Sequence, residues 1–179
     1  MSPYLIDCVS RDRAVSEVFI VQESFASTAA RLRDRYSQAV LSIDGSIQRI
    51  SGTRLDKVLD DDSAEMIIAS LGCGLRLGRG AYDDLFSIQQ LRYRKIIIVA
   101  AETSQGRYIR AKVVSLLYRF TKPLFSAGHI YLATADLTAD MSDGEFAAKV
   151  LAPATRQIVQ LRAASTMSRT LAQLDSMDH

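Results

Sequence analysis

Short runs of aliphatic and β-branched residues recur along this chain, separated by stretches with helical spacing. Val18-Phe19-Ile20-Val21, Ala39-Val40-Leu41-Ser42-Ile43, Lys95 to Ala100 and Ile130-Tyr131-Leu132-Ala133 each read as a buried strand. Between them, Phe25, Ala29, Leu32 and Tyr36 share one face, which predicts a helix over Ser24 to Tyr36. Arg54 to Leu59 reads as a helical stretch. Ala64 to Leu71 reads as a helix with candidate caps in Asp60-Asp61-Asp62-Ser63 and glycine just past its end in Leu71-Gly72-Cys73-Gly74. Arg76 to Ser87, with Gly78 and Gly80, reads as irregular. Ile109, Val113, Leu116, Leu117 and Phe120 predict a helix over Arg107 to Phe120, with Lys122-Pro123 at its exit.

From Asp143 to about Met177 the pattern predicts helix, capped by Ser142 or Asp143 and kinked or divided at Pro153. Ala148, Leu151, Ile158, Leu161 and Leu171 would form its apolar stripe, docked on its own domain or offered to a partner, with docking favoured.

The order strand, helix, strand, helices, strand, helix, strand predicts an α/β fold with a mainly parallel sheet covered by helices. At 179 residues, 48% hydrophobic and 23% charged, the chain suits one ordinary globular unit. No apolar run reaches the length of a membrane span, so no membrane partner is expected. Met1 to Asp7 lacks a basic segment followed by an apolar one, so the expected location is the cytoplasm, with association to the nucleoid as a variant. The net charge of +2 says little. Its distribution says more: between Leu91 and Pro123 lie Arg92, Arg94, Lys95, Arg107, Arg110, Lys112, Arg119 and Lys122 against Glu102 alone. Such an excess suits phosphate or an acidic partner, and suits equally a solvated helix face.

The strand ending at Ala100 runs into Ala101-Glu102-Thr103-Ser104-Gln105-Gly106. In open α/β sheets ligands bind at such carboxyl ends. Magnesium there needs several oxygen donors, mainly carboxylates, and this loop offers only Glu102. Cys8 and Cys73 have no Cys or His at ligand spacing, so no zinc site is expected and both should be reduced thiols at rest. Cys8 near the N-terminus and Cys73 between glycines are the candidates for accessible thiols and for a redox-controlled dimer, with inert thiols as the alternative. His129 at a strand start is read as structural.

Several blocks carry a resemblance. Asp7-Cys8, Ser16 to Val21, Arg33-Asp34-Arg35, Gln38 to Leu41, Ala69-Ser70-Leu71-Gly72-Cys73-Gly74, Leu91-Arg92-Tyr93, Ile109-Arg110 and Ala127-Gly128-His129-Ile130-Tyr131 fall in one order over roughly Asp7 to Leu137. In that order the chain resembles the toprim region of the B component of bacterial type IIA topoisomerases, the gyrase and topoisomerase IV group. The resemblance implies a toprim, Rossmann-like sheet over residues 1–140, in degenerate form, and a C-terminal helical extension over 141–179.

The departures fall on the family's chemistry. Its Glu-Gly-Asp-Ser-Ala-Gly-Gly pattern here reads Gln22-Glu23-Ser24-Phe25-Ala26-Ser27-Thr28, so the acid/base glutamate falls on Gln22, with Glu23 one place away. The aspartates of its Asp-x-Asp-x-Asp-Gly pattern fall on Ala101, Thr103 and Gln105, with Gly106 retained; a basic residue falls on Ser46. The resemblance therefore implies vestigial positions Gln22, Glu23, Ala101, Thr103 and Gln105, no metal, no cofactor and no strand cleavage. The expected function is inhibition, most of all of decatenation by topoisomerase IV, as in free-standing toprim-like proteins proposed as negative switches of that enzyme. The expected partner is a topoisomerase IV or gyrase subunit, with the A subunit favoured; a homodimer is also considered. One alternative is a DNA-binding module using Arg107, Arg110 and Lys112. Another is a residual metal-dependent enzyme in which Glu23 and Glu102 come together.

Overall fold

The computed structural model of the chain describes residues 3–45, 54–75 and 85–162. Its centre is a six-stranded sheet in the order β1-β3-β2-β4-β5-β6. The inner strands are β2 (Glu17–Gln22), β3 (Gln38–Ile43), β4 (Lys95–Val99) and β5 (Ile130–Ala133), and all are mutually parallel. Two short strands close the edges antiparallel: β1 (Tyr4–Ile6) on β3 and β6 (Ile158–Gln160) on β5. The helices are α1 (Glu23–Leu32), α2 (Leu55–Leu59), α3 (Asp62–Leu71), α4 (Ser104–Phe120), α5 (Pro123–Ser126) and α6 (Asp143–Phe146).

Parallel strands covered on both faces are apolar throughout rather than alternating, and every residue of β2 and β3 is buried. Their side chains nevertheless go alternately to two cores. Val18, Ile20 and Leu41 pack with Ile67 of α3 and Val113 and Leu117 of α4. Phe19, Val21 and Val40 pack with Phe25 and Ala29 of α1 and with Phe146 of α6. This period of two is what the pleat dictates.

Several boundaries differ from the expected ones. α1 stops at Leu32, and Tyr36 is 59% exposed rather than on the buried face. Arg33 turns extended (φ −64°, ψ 158°), and the Asp34 carboxylate accepts the Tyr36 N–H at 3.0 Å, a local turn that competes with helix. α4 begins three residues earlier than expected, at Ser104. α4 ends at Phe120 just before Lys122-Pro123, as expected, and Pro123 also opens α5.

The largest correction concerns the C-terminal helix expected from Asp143 to Met177. α6 starts as foreseen, with Ser142 and Glu145 closing a reciprocal capping box. It then passes into a single π turn, Ala147–Leu151, and ends at Ala152. Pro153 cannot continue the helical bonding. Ile158–Gln160 becomes strand β6 because β5 presents an unpaired edge, whose backbone groups it satisfies. Leu161 is buried, as the apolar stripe required, but beside a strand. Leu171 and Met177 lie outside the described residues, as do Ser46, Gly78 and Gly80. Among the described residues, no helix is long and apolar enough to cross a membrane.

Candidate functional site

β2 and β4 are paired in register, Val21 opposite Val99, so their carboxyl ends emerge side by side. Gln22 is the last residue of β2 and is 8% exposed. Its Oε1 accepts the backbone N–H of Ala101 at 3.0 Å, tying the end of β2 to the loop after β4. Two helices begin here, α1 at Glu23 and α4 at Ser104. Thr103 caps α4, its hydroxyl accepting the Gly106 N–H at 3.1 Å. Gly106 is required by close approach: a Cβ there would sit 2.0 Å from the carbonyl oxygen of Ala101.

These residues face a cleft of about 560 Å3. Gln22, Ala101, Thr103 and Gln105, four of the positions that the resemblance singles out, all line it; Glu23 does not. The opposite wall was not foreseen. It comes from the segment after β5, including Asp136, Leu137 and Met141, and from Phe146 of α6. Phe146 stacks on Phe25 of α1, with centroids 6.2 Å apart. The signal for that wall was available: Thr134 follows a parallel strand, and the rule placing ligands at carboxyl ends applies to β5 as it does to β4.

Glu102 is the cleft carboxylate contributed by the β4 loop, and it is already engaged. Arg110 Nη2 lies 2.5 Å from its Oε1, and Arg107 Nη1 lies 3.9 Å from its Oε2. The same Arg110 nitrogen lies 3.4 Å from the carbonyl oxygens of Ala100 and Ala101. Neutral amides and hydroxyls, with Glu102 held by two guanidinium groups and Asp136 on the opposite wall, are not the cluster of hard anionic donors that magnesium calls for, and no group of three such ligands occurs among the described residues. Of Glu23 and Glu102, only Glu102 lines the cleft.

The basic excess is only in part engaged within the fold: Arg94, Arg107, Arg119 and Lys122 are exposed, while Arg92, Lys95, Arg110 and Lys112 are partly or fully buried. Lys112 is 3% exposed, with its ammonium 4.9 Å from the Tyr108 ring, so it is not available to phosphate or a partner. The physical reason is position: Lys112 falls among the packed residues of α4, between Ala111 and Val113. Arg110 is the partner of Glu102. Arg107, with 48% of its side chain exposed, is the member of the trio that remains open to solvent. Arg92 reaches Asp7 at 3.3 Å.

The thiols are also corrected. Cys8 is 3% exposed and Cys73 is fully buried; both are free. Gly72 and Gly74 adopt left-handed backbone (φ 73° and 74°), and the tight turn they form sends the Cys73 side chain inward rather than out. Burial pushes the Cys73 thiol up to about 11, away from the reactive thiolate. His129 is structural as expected: its Nδ1 lies 2.7 Å from the Arg94 carbonyl, to which it donates.

A mixed α/β sheet with a parallel centre, helices starting at the carboxyl ends of its inner strands and a cleft between them is consistent with a toprim, Rossmann-like fold. No protein-family profile matches the chain. Over 134 residues, 74% of its length, the chain is 37% identical to the GyrB-type chain of DNA gyrase, its B subunit, from Halalkalibacterium halodurans. Over the same share it is 38% identical to the gyrase B subunit of Borrelia hermsii and 35% identical to that of Helicobacter pylori. The matches cover 20%, 20% and 16% of those relatives, so the chain spans about a fifth of their length or less. They support a gyrase B-like toprim region over the matched part of the chain.

Proposed function

We propose that this chain is a non-catalytic, toprim-like regulator that binds a type IIA topoisomerase in the position of the enzyme's own toprim domain and inhibits it. The DNA-cleavage A subunit of topoisomerase IV is the favoured partner, and decatenation is the activity lost. One observation carries the reading. β2 and β4 bring their carboxyl ends together in register and Gly106 opens α4, while the cleft they frame is lined by Gln22, Ala101, Thr103 and Gln105, where the resemblance implies carboxylates. An amide cannot exchange a proton as a carboxylate does. On this reading a neighbouring subunit meets a toprim-like surface whose acid/base position holds Gln22 in place of a carboxylate.

Binding without chemistry inhibits by occupancy. A regulator of this kind displaces the active toprim-bearing component in proportion to their concentrations and affinities, so inhibition should be relieved by an excess of that component. The test uses purified components: topoisomerase IV and gyrase are assayed for decatenation and supercoiling with increasing amounts of this protein. Decatenation should fall with dose and recover when the toprim-bearing component is added. Unchanged activity of both enzymes at a large molar excess would remove the proposal.

A further inference from the structure

Gln22 sits at the floor of the cleft with its two amide ends in different situations. The Ala101 N–H must face an acceptor, so the oxygen is fixed toward it at 3.0 Å and the NH2 is the end left over. Among the described residues that NH2 donates to nothing, although Gln22 is only 8% exposed. Among the described residues the enclosed side-chain atoms without a partner are Arg92 Nη1, Arg110 Nε and Ser115 Oγ; the Gln22 NH2 opens instead to the cleft, where a ligand's acceptor can take the place of water. The walls around it are apolar and aromatic: Phe25, Leu137, Met141 and Phe146. The volume of about 560 Å3 falls within the roughly 300–1,000 Å3 of small-molecule sites. Its polar lining is mostly uncharged, Glu102 is neutralised by Arg110, and the exposed Asp136 stands at the mouth.

We propose that the cleft is a binding site for a neutral organic ligand with a planar apolar body and a carbonyl oxygen that accepts from the Gln22 NH2. This inference deepens the reading of the chain as non-catalytic and rests on it: the place of a metal site has become a small-molecule site. Asp136 at the rim offsets the attraction that the starts of α1 and α4 hold for a simple anion, and the guanidinium groups already on Glu102 oppose a cation. A heterocyclic amide meets the remaining requirements. Its ring lies against the apolar wall, its carbonyl meets Gln22, and a ring N–H suits a carboxylate such as Asp136.

The test uses the full chain and backbone-amide NMR. Uridine and guanosine, which carry ring carbonyls, are titrated to millimolar concentration beside adenosine, which has none, inorganic phosphate and magnesium chloride. The expected result is saturable shifts at Gln22, Ala101 and Leu137 with a carbonyl-bearing nucleoside and weaker or no shifts with adenosine. Gln22→Glu keeps an oxygen for the Ala101 N–H but turns the free donor into an acceptor, and should weaken binding by roughly tenfold or more. Thr28→Tyr, on the half-exposed side of α1, fills the cleft without touching those bonds and should also abolish binding; the dispersion of its spectrum shows that it folds.

Three results would overturn the inference. These are no shift with either carbonyl-bearing probe, equal affinity for adenosine, or shifts at the same amides only with magnesium or phosphate. Topoisomerase inhibition is measured without any nucleoside. Inhibition without nucleoside binding therefore defeats the ligand site alone, and binding without inhibition defeats the regulator alone.

Discussion

The two ends of the parallel sheet are built on opposite principles. At the carboxyl end, Gln22, Thr103 and Gln105 line an open cleft, and its one β4-loop carboxylate lies near the surface with Arg110. At the amino end, beside a smaller cleft of about 410 Å3 and the exposed Arg94, one ion pair is buried. Glu17 at the start of β2 and Arg156 before β6 form an ion pair with side chains 10% and 4% exposed, reinforced by Arg156 Nη2 to Glu17 Oε1 at 3.2 Å. Gln38 donates to Glu17 at 3.1 Å and to the Leu151 carbonyl at 2.9 Å, so one cluster joins β2, β3 and the chain after the π turn. Asp7, Arg92 and Tyr93 make a second polar cluster. One end holds the fold together. The other is left free to meet something else.

The strongest way to break this contrast is at the amino end. Arg156→Ala leaves Glu17 buried without its counter-ion, and removing one partner of such a pair costs about 3–5 kcal/mol. Chemical denaturation should show that loss, together with faster amide exchange through Ile158–Gln160, because Arg156 leads into β6. Replacing both partners, Glu17→Met with Arg156→Met, should restore most of it, since an apolar pair of similar volume removes the orphaned charge. Equal losses in the single and double variants would mean that the cluster acts through packing rather than charge.

The inner strands were legible in the sequence because burial on both faces makes them continuous apolar runs, as in Ile96 to Val99. The carboxyl end was legible too, since strand, loop, glycine and helix follow one another locally. The amino end was not. Glu17 and Arg156 are 139 positions apart, and nothing in their own neighbourhoods marks either as one half of a pair. The edge strands escaped for a different reason. β1 and β6 are three residues each, too short to show a period, and β6 exists because β5 offers it an edge. Lys112 misled because charge was read without its face of the helix. Cys73 misled because glycines suggest openness, while here they make the turn that buries the thiol.

A smaller effect sharpens the contrast from the carboxyl end. Thr103 stands where the family resemblance implies a metal ligand, yet its hydroxyl caps α4. Thr103→Ala should cost about 1 kcal/mol, the usual value of a lost cap, as a shift in the denaturation midpoint. The cost should be the same with and without magnesium. A magnesium-dependent difference between wild type and variant would return a ligand role to this position and weaken the reading of the cleft as uncharged by design.

The smallest effect is a pH dependence in the Asp7 cluster. Burial by itself raises the pKa of Asp7, but the Tyr93 hydroxyl (2.8 Å), the Cys8 N–H (2.8 Å), Arg92 and Arg11 outweigh it, and the net position is below its ordinary 3.8. A carboxylate whose folded pKa is depressed stabilises the protein above its unfolded pKa, and that contribution disappears as the pH falls through the folded value. Asp7→Asn keeps an oxygen for Tyr93 and Cys8 while removing the charge. Wild type should therefore be the more stable at neutral pH, and the gap in urea midpoints should begin to close near pH 3.8 and shrink further below it. Arg92 is the reason to expect a gap at all, since its guanidinium is 19% exposed and loses its counter-charge in the variant. A gap that stays constant from neutral pH to below 3.8 would show that Asp7 acts only as a hydrogen-bond acceptor, leaving Glu17 and Arg156 as the charge pair that distinguishes the amino end of the sheet from the other.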